Sequence, residues 1–203
     1  AAAAATGSPV NMLAVWGPGL SAMILSLLIA GKAGLRTLFR PIRIWRVGAL
    51  WYLLVLLYPV ALKLAAYGID MALGRSYKLT FMPIAHYFSP QQAMIMVPAA
   101  FIAAVPNALG EELGWRGFAL PRLQAKLNAL GASVILGLLW GIWHIPMWAM
   151  TSGTIGIHEL ASVLSLAGAA ILFTWVYNGT RGSLLLVWLF HFSMTVTGYS
   201  LSR

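Results

Sequence analysis

The chain has no cysteine and only four acidic residues among 203. Without cysteine there is no disulfide, no thiolate metal site and no cysteine nucleophile. Charged residues make up 8% of the chain against a hydrophobic share of 61%, whereas soluble domains are about 25% charged. The polar surface of a soluble domain is therefore missing. In its place stand apolar runs near the roughly 20 residues that a helix needs to cross a bilayer. The expected fold class is all-α, a polytopic integral membrane bundle of about six transmembrane helices. One domain is expected over residues 11–203, after an uninformative, alanine-rich stretch at 1–10.

Spans are predicted near residues 12–30, 48–68, 93–120, 130–150, 159–178 and 183–201. The segment from Met12 to Ala30 is too long, and ends too basic, for a cleaved signal, and reads as a span. The formal net charge is +9, but the basic residues fall in short connections and form no continuous basic face, so the expected partner is the lipid bilayer and no nucleic acid. Lys32, Arg36, Arg40, Arg43 and Arg46 crowd one connection, which the positive-inside rule assigns to the cytoplasm. Alternation then puts the N-terminus outside with Asp70, Arg75 and Lys78, and Arg122, Lys126 and Arg181 inside. The expected location is the cell membrane. Pro83, Pro90, Pro98 and Pro106 predict a bend or a short re-entrant piece over 81–106. Trp16, Trp45, Trp51 and Trp148 suit an interfacial belt, and Ala161, Ser165 and Ala169 suit close helix packing.

Two of the four acids, Glu111 and Glu112, sit side by side in NALGEELGWRG between apolar segments. An ionisable group at the bilayer centre costs about 2.5–3.5 kcal/mol even on insertion scales, so such groups usually have partners and roles. Measured as helix, Glu111 lies roughly 16 Å from Arg122, His191 roughly 15 Å from Arg181, and His144 about 20 Å into the fourth span. Three polar groups from three helices can meet at one level. Gly110 and Gly114 bracket the acids, and Gly137 and Gly141 precede His144, in the GxxxG spacing that lets backbones approach. Glu112 and Arg116 are four apart and can pair on one face, while Glu111 points about 100° away and is left free. A buried carboxylate beside a neutral histidine suits a general base for water. A buried ion-pair network that only holds helices together fits the same spacing. His86, His158 and Glu159 fall in expected external loops, and Ser133, Ser152 and Ser193 lack the elbow of a serine hydrolase.

Glu111, Glu112 and Arg116, followed by Gly117, match an EExxxR motif. Trp140 to His144 is similar to FxxxH with tryptophan for phenylalanine, and His191 fits HxxxN with Thr195 where asparagine is usual. The chain over residues 107–200 thereby resembles the intramembrane CAAX protease and bacteriocin-processing (CPBP) family. The resemblance implies an intramembrane endopeptidase with Glu111, Glu112, His144 and His191 as candidate catalytic residues, in which Glu111 activates water and His144 and His191 position or polarise the reacting groups. Arg116 and Trp140 would support them, and Thr195 would stand at the oxyanion position. Peptides or prenylated proteins would be substrates. A metal-free site is favoured and no cofactor is expected; zinc, if used, would be held by Glu111, His144 and His191. The alternative is a non-catalytic membrane scaffold or bacteriocin self-immunity protein that keeps the fold.

Overall fold

The computed structural model describes residues 9–75, 79–152 and 156–202, so Lys78 lies outside the described residues. The helices are α1 Pro9–Phe39, α2 Ala49–Ala72, α3 Pro90–Glu112, α4 Leu120–Gln124, α5 Ala129–Ser152, α6 Ile157–Gly179 and α7 Leu184–Ser200. A π-helix, Leu113–Ala119, joins α3 to α4 with no non-helical residue between them. Five helical segments are long and apolar enough to cross a membrane: Val15–Arg43, Ala49–Ala72, Pro90–Gln124, Ala129–Met150 and Ile157–Gly179; α7 is a shorter apolar helix. The protein is a multi-pass integral membrane protein. Its large apolar side chains face outward, with Leu28 76%, Leu50 74% and Met94 80% exposed, as lipid-facing surfaces require.

Local chemistry sets the breaks. α1 is interrupted at Ala30 and Gly31, where Gly31 takes φ 57, a left-handed value that glycine adopts without a Cβ penalty. The expected end of the first span at residue 30 coincides with this kink. Pro98 and Pro106 lie inside α3, so the proline-rich stretch continues as helix; only Pro83 falls in a separate turn, the 3-10 helix Pro83–Tyr87. Gly156 N–H donates to Glu159 Oε2 at 2.8 Å at the start of α6. His158 and Glu159 thus belong to the first turn of a helix and not to a loop, because Glu159 satisfies a backbone donor there. Left-handed Arg181 and Gly182 turn the chain into α7.

The helices group into two compact units. The first contains residues 1–45 and 110–187. Its close approaches follow the glycines: a methyl group on Gly110 would meet the Trp16 ring at 2.8 Å, and one on Gly114 would fall on Pro18. Across α5 and α6, a methyl group on Gly141 would lie 2.8 Å from Val163 Cα, and one on Gly137 2.7 Å from Ala170 Cβ. Both GxxxG pairs therefore pack helices, as expected. The α6 packing face is Val163, Ala167 and Ala170, whereas Ala161 and Ser165 are exposed. Small residues of α6 do make the approach, but at Ala167 and Ala170 and not at the expected Ala161 and Ser165, because the face turned to Gly137 and Gly141 is a neighbouring one on the same helix. Leu120, Ala132 and Leu136 form a core over which Trp115, Ala119, Leu123 and Tyr177 pack.

The second unit contains residues 46–109 and 188–203. Ser193 Oγ donates to the Leu56 carbonyl at 2.9 Å, Trp188 Nε1 donates to the Val105 carbonyl at 2.8 Å, and Phe190 meets Tyr58 edge to face. These contacts tie α7 to α2 and α3. A two-residue antiparallel pairing, Thr80 with Ser202 and Phe81 with Leu201, closes the unit.

Candidate active site

The π-helix sets the site. A widened i→i+5 turn is rare and frequently occurs at functional sites; here it begins directly after the two glutamates and carries Arg116. Glu111 is 6% exposed, and Glu112 and Arg116 are 0% exposed. Arg116 Nη1 donates to Glu112 Oε1 at 2.8 Å, the expected i,i+4 ion pair. Two adjacent aromatic faces wall the guanidinium, the Trp140 ring centroid at 4.5 Å and that of Phe173 at 4.2 Å, the two rings meeting edge to face. Desolvated cation–π contacts of this kind are worth about 2 kcal/mol. They stand beside Nε and Nη2 of Arg116, which make no hydrogen bond among the described residues.

Glu111 is not free. Trp140 Nε1 donates to Glu111 Oε2 at 2.7 Å, so the expectation of an unengaged carboxylate is corrected. The reason is the residue at the aromatic position: an indole carries an N–H donor, and a phenyl ring has none. Trp140 also reaches His144, whose Nδ1 lies 2.8 Å from the Trp140 carbonyl. A carbonyl only accepts, so Nδ1 carries the hydrogen and the neutral ring keeps its lone pair on Nε2. The imidazole stands perpendicular to Trp143 at 5.2 Å and stacks on Trp148 at 5.4 Å. Its orientation is held from three sides.

Glu111, Glu112, Arg116, Trp140 and His144 are thus gathered within the first unit. His191 and Thr195 belong to the second, one helical turn apart on α7, and both are half-buried. Four residues apart on a helix is the spacing that puts two side chains on one face. Among the described residues no group of three or more His, Asp or Glu side chains comes together to hold a metal ion.

Several roles were invisible in the sequence. Phe173, the second aromatic face against Arg116, carries no motif. Trp148 and Trp16 are drawn into packing, against His144 and Gly110, in addition to any interfacial preference. Ser133 and Ser193 bond backbone carbonyls of Ala129 and Leu56, so neither is poised as a nucleophile; the side chain of Ser152 lies outside the described residues. His86 is exposed in its 3-10 turn, away from these motifs in sequence.

Residues 92–197, just over half the chain, match the family of type II CAAX prenyl endopeptidases described as Rce1-like. A curated relative, CAAX prenyl protease 2 of Methanococcus maripaludis, is 31% identical over 106 residues, covering 47% of this chain and 38% of the relative. The chain thus spans well under half the length of that relative. The matched stretch contains every one of the motif residues set out above. The chain belongs to the Rce1-like family of type II CAAX prenyl endopeptidases.

Proposed function

We propose that this chain is an intramembrane endopeptidase of the CAAX prenyl protease type, hydrolysing a peptide bond near the C-terminus of a prenylated protein with water activated by Glu111. The observation that carries the proposal is the double role of Trp140. Its indole N–H holds Oε2 of Glu111 and its carbonyl holds Nδ1 of His144. Oε1 of Glu111 is left to take a proton from water, and Nε2 of His144 to accept or return one. Glu112 and Arg116 form the buried pair that anchors this arrangement. His191 polarises the scissile carbonyl, and the Thr195 hydroxyl donates to the developing oxyanion. General-base assistance of this sort contributes about 100- to 10,000-fold.

The test is mass-spectrometric cleavage mapping of a prenylated CAAX peptide and its unprenylated twin, with the protein in liposomes. Cleavage of the prenylated peptide at one bond, lost in Glu111→Gln and resistant to chelator, is expected. Chelator sensitivity would point instead to zinc on Glu111, His144 and His191. Cleavage that persists in Glu111→Gln would overturn the role of the glutamate. Thr195, which takes the place of the family asparagine, favours a second reading, a scaffold or self-immunity protein without turnover. That reading requires that neither peptide be cut.

A further inference from the structure

At the C-terminal end of α1 and the turn that follows it, an open pocket of about 840 Å³ is lined by Leu35, Arg36, Phe39, Arg40, Arg43 and Ile44. This is near the upper end of the range for small-molecule sites, about 300–1,000 Å³. Its walls are mainly apolar, formed by Leu35, Phe39, Ile44 and the hydrocarbon stems of the three arginines, whose guanidinium groups supply the small polar part of the lining. None of the three arginines has an ion pair or hydrogen bond through its side chain among the described residues.

No carboxylate side chain in the chain is available to neutralise them. Asp70 pairs with Arg75, Glu112 with Arg116, Glu111 accepts from Trp140, and Glu159 caps Gly156. Those are the four acids of the sequence. The pocket wall is also held in place: Ser183 Oγ donates to the Ile44 carbonyl at 2.6 Å, and the Arg40–Arg43 turn closes with Ile44 N–H donating to the Pro41 carbonyl. Leu38 beneath it is 3% exposed, packed toward Gly117. Arg40 and Arg43 therefore stand on an anchored turn, and Arg36 on the last turn of α1, not on a loose loop.

We infer that this pocket binds the headgroup of an anionic phospholipid, with the phosphate held by Arg36, Arg40 and Arg43 and the adjoining hydrocarbon against Leu35, Phe39 and Ile44. Guanidinium forks match phosphate oxygens. A small inorganic anion would leave the mostly apolar walls unused, whereas a lipid uses those walls as well as the guanidinium groups. The lining belongs to a candidate membrane-spanning segment, Val15–Arg43, that also exposes Ile24, Leu25 and Leu28. The site stands independently of the proteolytic reading.

The test is native mass spectrometry of the purified chain in detergent with phosphatidylglycerol, phosphatidylcholine or inorganic pyrophosphate. Phosphatidylglycerol should be retained at least about tenfold better than phosphatidylcholine. Each basic side chain near an anionic headgroup contributes roughly fivefold, so Arg36→Gln with Arg40→Gln and Arg43→Gln should lower retention about 100-fold. A charge-matched control outside the pocket, Lys63→Gln with Arg122→Gln and Lys126→Gln, should keep it. Should the triple pocket variant fail to fold, the single variants should each lower retention roughly fivefold, and Phe39→Ala should weaken it with no change of charge. Equal losses in pocket and control variants would mean diffuse net charge and overturn the proposal. Pyrophosphate binding as tight as the lipid would also overturn it, in favour of a soluble anion.

Discussion

The Trp140 indole donates a 2.7 Å hydrogen bond to Oε2 of Glu111, joining two buried side chains 29 residues apart in sequence. This bond converts a carboxylate with two equivalent oxygens into one with a held oxygen and a working oxygen. Trp140→Phe keeps an aromatic ring over Arg116 but removes the donor. Hydrogen bonds to charged groups are worth about 1.5–3 kcal/mol, so kcat should fall about 10- to 100-fold while KM changes little. Steady-state cleavage kinetics decide it, and an unchanged kcat would show that the bond positions nothing.

Glu111→Gln preserves size and removes the base. Cleavage should fall by about 100- to 10,000-fold, with thermal unfolding in detergent close to that of the wild type.

The buried pair of Glu112 and Arg116 behaves differently from either residue alone. Arg116→Met leaves an uncompensated buried carboxylate and should destabilise the fold by about 3–5 kcal/mol. Glu112→Leu combined with Arg116→Met should recover much of that loss, because replacing both partners removes the stranded charge. Reversible unfolding of the two singles and the double gives the coupling; additive losses would argue against a direct pair.

Glycine substitutions separate tight from open positions. A methyl group on Gly114 would fall on Pro18, while one on Gly168 meets nothing within 4 Å. Gly114→Ala should cost about 1–3 kcal/mol through overpacking. Gly168→Ala, in the middle of α6, should be neutral or stabilise by about 0.5–1 kcal/mol. Melting temperatures of the two variants should move apart.

Thr195→Asn lengthens a side chain at the proposed oxyanion position. Loss of one oxyanion donor typically costs about 100- to 1,000-fold, so restoring a better one should raise turnover at least about tenfold. No change would place the oxyanion contact elsewhere.

Much of this protein follows from the sequence alone. Apolar runs of bilayer length dictate helices, because a lipid-exposed backbone must satisfy its own hydrogen bonds. An i,i+4 spacing is enough to bring Glu112 to Arg116, since helix geometry fixes that distance locally. GxxxG spacing likewise foretold where backbones approach, although it did not say that α6 would meet Gly137 and Gly141 with Val163, Ala167 and Ala170.

Only the tertiary structure decided what depends on groups distant in the chain. The hydrogen bond from Trp140 to Glu111, Phe173 as the second face over Arg116, and the ring of Trp148 on His144 all require helices to meet at one rotation and height. A residue's position in sequence sets its helical face, but not which neighbour fills the space opposite. The π-helix at Leu113–Ala119 shifts that rotation within the motif itself. A straight α-helix would turn Glu112 and Arg116 by a different amount relative to α5, so the environment of the glutamates was set by packing and not by spacing.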